Sequence, residues 1–186
     1  MATQPLWFGA VTARWFGRKE LDAKQILHLW CWCKGRGLML ILISLLLTGC
    51  SEDYGVDQYG RKVTAEQLEG QWLLINYWAQ WCGPCRSEVV EFNKLAQQLE
   101  DQSVTVLGVN FDQLQGVELS QASSALGINY RVLAQDPAAR WQLPRSEVLP
   151  VTYIIDAQGQ LRERLLGEQT AAGLRARLAQ LQKGAD

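Results

Sequence analysis

Residues Leu74–Phe92, LINYWAQWCGPCRSEVVEF, place two cysteines, Cys82 and Cys85, between an apolar run and a segment with helical spacing. The run WLLINYWA (72–79) has the composition of a strand buried on both faces of a sheet. After Cys85, Val89, Val90, Phe92, Leu95, Ala96 and Leu99 recur at helical intervals, which predicts a helix reaching about Glu100. Two thiols at such a junction can be a redox couple, half of a metal site or a structural bond. The other three cysteines, Cys31, Cys33 and Cys50, bear on that choice.

The chain has 186 residues and a net charge of −1, but the charge is unevenly spread. Residues 1–50 hold six of the 18 Lys and Arg residues and two of the 19 acids, a net of +4, which leaves −5 on the remainder. An acidic body without a basic patch speaks against nucleic-acid binding. A basic leader before it fits export, because positive charge stays on the cytoplasmic side during insertion. In KGRGLMLILISLLLTGC (34–50), Lys34 and Arg36 precede an apolar core, Leu38–Leu47, interrupted only by Ser44. The core is shorter than the roughly 20 residues that span a bilayer and fits the hydrophobic region of a signal peptide.

The LTGC that ends this core resembles the lipobox of bacterial lipoproteins, which implies that Cys50 carries lipid and that everything before it is removed. An uncleaved membrane anchor is the alternative. The 33 residues before Lys34, with Trp7, Trp15, Trp30 and Trp32, show no domain pattern and read as an upstream start or a long n-region. The expected organisation is a leader and signal peptide at 1–49, a lipidated cysteine and polar tether at 50–60, and one domain at 61–186.

Cysteine arithmetic then narrows the choice. Once Cys50 is acylated and the leader removed, Cys82 and Cys85 are the remaining thiols, and His28, the chain's one histidine, is gone too. A tetrahedral zinc site needs four ligands, usually Cys or His, and the mature chain offers only two good ones; a copper site with a downstream His is excluded for the same reason, so no metal is expected. Two thiols two residues apart in an oxidising compartment read as a redox pair.

Along the mature chain, KVTAEQLEG predicts a short strand and a one-turn helix begun at Thr64 and closed at Gly70. SVTVLGVNFD (103–112) predicts a strand, VELSQASSALG (117–127) a helix stopped by Gly127, YRVLAQD a short strand, and PAARWQL a helical turn started by Pro137. VTYIID (151–156) and LRERLLG, joined by AQGQ, predict a hairpin. Thr170 to about Lys183 sets Leu174, Leu178 and Leu181 on one helix face. The fold class is α/β: a mixed central sheet with helices on both faces.

Three segments, GRKVTAEQLEGQWLLINYWAQWCGPCRSEVVEFNKL, VTVLGVNFD and LPVTYIIDAQGQLRERLLG, span this domain in the order of the thioredoxin superfamily. The chain resembles in particular the TlpA/ResA/CcmG-like branch, the membrane-tethered periplasmic thiol–disulfide oxidoreductases. The position of Cys82 at a helix N-terminus favours its thiolate; by resemblance it is the attacking nucleophile and Cys85 the resolving thiol. Gly83 and Pro84 set the helix start, where a missing proline N–H costs nothing. The Gly-Pro pair is that of thioredoxins and favours a reducing couple. Pro150 resembles the family's cis-proline, which presents the backbone of Leu149 to the partner. Trp81 and Trp78 resemble the aromatics around the site, Trp81 as a shield and docking surface and Trp78 mainly as core.

One departure stands out. Thioredoxins place a buried aspartate six residues before the first cysteine, and this chain has Asn76 there, which cannot act as a general base. Glu147, the nearest acid before Pro150, reads as an exposed loop charge. The resemblance implies protein disulfides or thiols as substrates, oxidised apocytochrome c cysteines among them, and a membrane thiol reductase of the DsbD/CcdA type as electron donor. No nicotinamide or flavin motif is present and no cofactor is expected. The same site could instead donate disulfides, or the Cys82–Cys85 bond could be static in a scaffold lipoprotein. A peroxidase is disfavoured because the T-x-x-C motif of that class is absent.

Overall fold

The computed structural model describes residues 53–100 and 102–184, so the leader, Cys31, Cys33 and Cys50 lie outside the described residues. Five strands, β1 (Trp72–Trp78), β2 (Val104–Asn110), β3 (Arg131–Leu133), β4 (Val151–Ile155) and β5 (Leu161–Leu166), form one sheet in the order β3-β2-β1-β4-β5. β2 runs parallel to β1 and to β3, whereas β4 is antiparallel to β1 and to β5. The sheet is therefore mixed, as the alternation of patterns predicted. All seven residues of β1 are buried, which is why that run reads as continuously apolar rather than alternating.

Side chains of successive strand residues point to opposite faces, and the core divides accordingly. Leu74 and Trp78 of β1 join a cluster with Phe92 and Leu95 of α1 (Gly83–Gln98), Leu119 and Ala122 of α2 (Gly116–Ala125), and Leu174 and Leu178 of α3 (Ala171–Lys183). Leu73, Ile75 and Tyr77 face a second cluster built from Tyr54, Val63, Trp141, Leu143 and the short 3-10 helix Ala65–Gln67 with its following Leu68. Of the helices expected on both faces, the three α-helices thus cover one, and on the other the helical cover is the single 3-10 turn with irregular chain around it.

Four local expectations change. Val90 is 67% exposed while Glu88 is buried, because at 100° per residue Glu88 falls in the stripe of Cys85, Val89, Phe92 and Leu95 and Val90 falls outside it. The helical turn expected from Pro137 takes the form of two hydrogen-bonded turns over residues 137–143, Arg140 N to Pro137 O and Leu143 N to Ala138 O. That course lets Trp141 stack on Tyr54, 5.2 Å between ring centroids. The strand expected before Thr64 shrinks to an isolated bridge between Val56 and Lys62.

The stretch read as a tether is docked from Tyr54 onward. Val56 accepts from Ala134 N and the Gln58 side chain bonds Val132 N and Tyr130 O, covering the free edge of β3. Asp57, buried, accepts from the N–H groups of Tyr59 and Arg61 and from Arg61 Nε, which closes the turn.

Candidate active site

β1 delivers the chain to its C-terminal end, where Ala79–Trp81 turn and Cys82 caps α1. Cys82 has extended backbone angles, its Sγ accepts the Cys85 N–H at 3.2 Å, and Pro84 occupies the first turn, where its missing N–H leaves no bond unmade. Cys82 and Cys85 are joined by a disulfide with their Cα atoms 5.3 Å apart, and both are buried.

The other described site residues expected from the sequence gather at this end. Trp81 is 64% exposed, donates its indole N–H to both carboxylate oxygens of Asp112 at 3.0–3.1 Å, and meets Phe111 edge to face. The Leu149–Pro150 peptide bond is cis. Val151, the next residue, pairs with Tyr77, so Pro150 stands beside the end of β1, and Leu149 packs against the cluster that contains both cysteines. Gly83 is the first residue of α1. Trp78 is fully buried core. Cys50 lies outside the described residues.

Behind the disulfide lies a polar cluster of which the sequence reading identified one member. Asn76, buried on the helical face of β1, donates its Nδ2 to Glu88 Oε2 at 2.7 Å. Glu88 Oε1 accepts the Gln169 N–H at 2.8 Å, and Tyr130 donates its hydroxyl to Asn76 Oδ1 at 3.2 Å. Thr152 Oγ1 lies 3.5 Å from Asn76 Nδ2. Glu88 is three residues after Cys85 on the same buried face of α1, the spacing at which helical side chains are neighbours. Burial pushes the Glu88 carboxyl up to about 7; the Gln169 and Asn76 hydrogen bonds oppose that and Glu168 adds to it. A carboxyl balanced near neutral pH beside a buried thiol can take or give a proton. Glu147, by contrast, is exposed. The signal for Glu88 was present in the sequence as an acid inside an apolar helical stripe.

The AhpC/TSA family pattern matches residues 48–164. Thiol-disulfide oxidoreductase ResA from Bacillus thuringiensis (strain Al Hakam) is 24% identical over 125 residues, 67% of this chain and 72% of the relative. Thiol:disulfide interchange protein HelX from Rhodobacter capsulatus is 31% identical over 111 residues, 57% of this chain and 58% of HelX. Among solved structures, a DsbF homologue from Corynebacterium diphtheriae aligns with a TM-score of 0.58 at 26% identity, covering 68% of this chain and 82% of that one.

Proposed function

Starting from a chain that belongs to the AhpC/TSA family and is a thiol–disulfide oxidoreductase of thioredoxin-like fold, we propose that it reduces protein disulfides on the outer side of a bacterial membrane. The observation that carries this reading is the Cys82–Cys85 disulfide at the start of α1, with a buried carboxyl one turn behind it. In the reduced protein, the unpaired N–H groups of the helix start favour the Cys82 thiolate. That thiolate attacks one sulfur of a partner disulfide. A Cys82–partner bond forms, the partner's bond breaks, and its released sulfur leaves with the electron pair as a thiolate.

The Cys85 thiol then gives its proton to the Glu88 carboxylate and attacks Cys82 Sγ. The intramolecular disulfide forms, the second partner sulfur leaves, and two electrons have passed to the partner. Glu88 fills the role left empty by Asn76, whose own part is to donate a hydrogen bond to it. Trp81, Leu149 and cis-Pro150 form the surface on which the partner chain lies, and Gly83 and Pro84 set the helix start. The Gly-Pro pair between the cysteines supports the reducing direction by its likeness to thioredoxins.

The LTGC motif supports lipid attachment at Cys50 and a place on the periplasmic face of a membrane. A membrane thiol reductase supplies the electrons, and periplasmic disulfides, including those of apocytochrome c, are the substrates.

The test is the reduction potential of the Cys82/Cys85 couple in glutathione or dithiothreitol buffers. A value near or below about −250 mV supports the reductase, and a value above about −150 mV reverses the direction to disulfide donation. A pair with no reversible couple would make the bond a static one.

A further inference from the structure

Tyr130 lies just before β3, yet its hydroxyl reaches Asn76 on β1, across the whole width of β2. Asn76, Gly108 and Val132 stand in one row across β1, β2 and β3. The middle member of that row has no side chain. A Cβ built on Gly108 would lie 3.0 Å from Tyr130 Cε2, 3.0 Å from Val132 Cγ2 and 3.1 Å from Trp78 Nε1. Glycine weakens a strand interior, so one in the middle of a fully paired strand marks a close approach. Here the approach is the Tyr130 ring, which also packs on Phe92 of α1 at 5.8 Å.

The chemistry at the end of that reach is specific. A carboxamide has an accepting end and a donating end, and Glu88 needs the donating one. Turned around, Asn76 would point its oxygen at the carboxylate. Tyr130 gives a hydrogen bond to Oδ1, which fixes Nδ2 toward Glu88. Burial pushes the Tyr130 phenol far up, so it remains a donor throughout the working pH range.

We propose that Tyr130 is a positioning residue for the exchange reaction: passing over β2 through the gap at Gly108, it holds the Asn76 carboxamide so that Glu88 is kept as a carboxylate for Cys85. This rests on the reading of Glu88 as the proton acceptor. The other groups around Glu88 are Cys85 on its own helix, the Gln169 N–H and the Glu168 carboxylate before α3, and Thr152 on β4 through Asn76. Glu91, one turn on, is occupied by the Ala171 N–H. None of these changes when the Tyr130 hydroxyl is removed.

The test is Tyr130→Phe in the full chain, which keeps the ring and its packing, with Gly108→Ala as a second variant that crowds the ring out of the gap. The Glu88 carboxyl is titrated by its 13C NMR signal in the oxidised protein, and resolution of a mixed disulfide at Cys82 is timed against pH. Both variants should raise the Glu88 midpoint by about half a unit or more and slow resolution about threefold at pH 6, with little change at pH 9, since a tenfold loss of carboxylate follows each unit. A Glu88 midpoint that stays in place in Tyr130→Phe overturns the inference, whatever happens to Tm. A midpoint that moves without the rate profile, with an acid limb that survives Glu88→Gln, overturns instead the role given to Glu88.

Discussion

Replacing Glu88 by Gln should tilt the pH dependence of stability in a direction unusual for a carboxyl. The group is 2% exposed and titrates near 7 in the folded chain, against an ordinary value of 4.5. Between those two pH values the folded state keeps a proton that the unfolded state has lost. The folded state binds more protons there, so stability falls as pH rises through this window. Below about 4.5 both states are protonated and the stabilisation is fully present; above about 7 it is gone. A gap of 2.5 units at about 1.4 kcal/mol each gives about 3.5 kcal/mol.

Glutamine abolishes that slope and leaves one oxygen to serve both Asn76 and Gln169, a loss of about 1 kcal/mol. The two curves should therefore cross near pH 5, with the variant increasingly the more stable toward pH 8. Urea unfolding of the oxidised full chain at pH 5, 6, 7 and 8, followed by circular dichroism, reads the difference. The disulfide-bonded cysteines do not titrate and cancel from it. A wild-type minus variant difference that is flat across that range would refute the claim that burial holds the Glu88 proton.

Four further substitutions separate packing from chemistry. Phe92→Ala removes a fully buried ring of α1 that packs on Tyr130 in the core beneath β1 and should cost about 3–5 kcal/mol, read as a lowered urea midpoint. Trp81→Ala removes an exposed ring held by Asp112 and Phe111; unfolding should change by less than about 1 kcal/mol, while mixed-disulfide formation with a protein substrate slows about tenfold in a quenched-flow assay. Cys85→Ser should accumulate a mixed disulfide at Cys82 that survives non-reducing electrophoresis, whereas Cys82→Ser should accumulate none.

Much of this was legible in the chain itself. The continuous apolar run 72–79 marks a central strand because a strand buried on both faces has no polar side to show. The C-x-x-C between that run and a helical period places both thiols at a helix start. The hairpin of β4 and β5 is readable from its turn, since Asp156 accepts from Gln158 N and Gln160 N and Gly159 takes the positive φ that the turn requires. These are local signals, carried by residues within a few positions of one another.

What the tertiary structure alone decided involves partners far apart in sequence. Asn76 meets Tyr130 across 54 residues, and Glu88 meets Gln169 across 81. No periodicity reports such pairings, because they depend on strand order and on which strand presents no side chain at the crossing point. Gly108 reads in sequence only as a weak spot in a strand; the row Asn76–Gly108–Val132 makes it the gap through which Tyr130 passes. The docking of residues 54–63 follows the same logic. Their composition is polar and loop-like, but the open edge of β3 leaves backbone groups unpaired, and Val56 and Gln58 supply the partners.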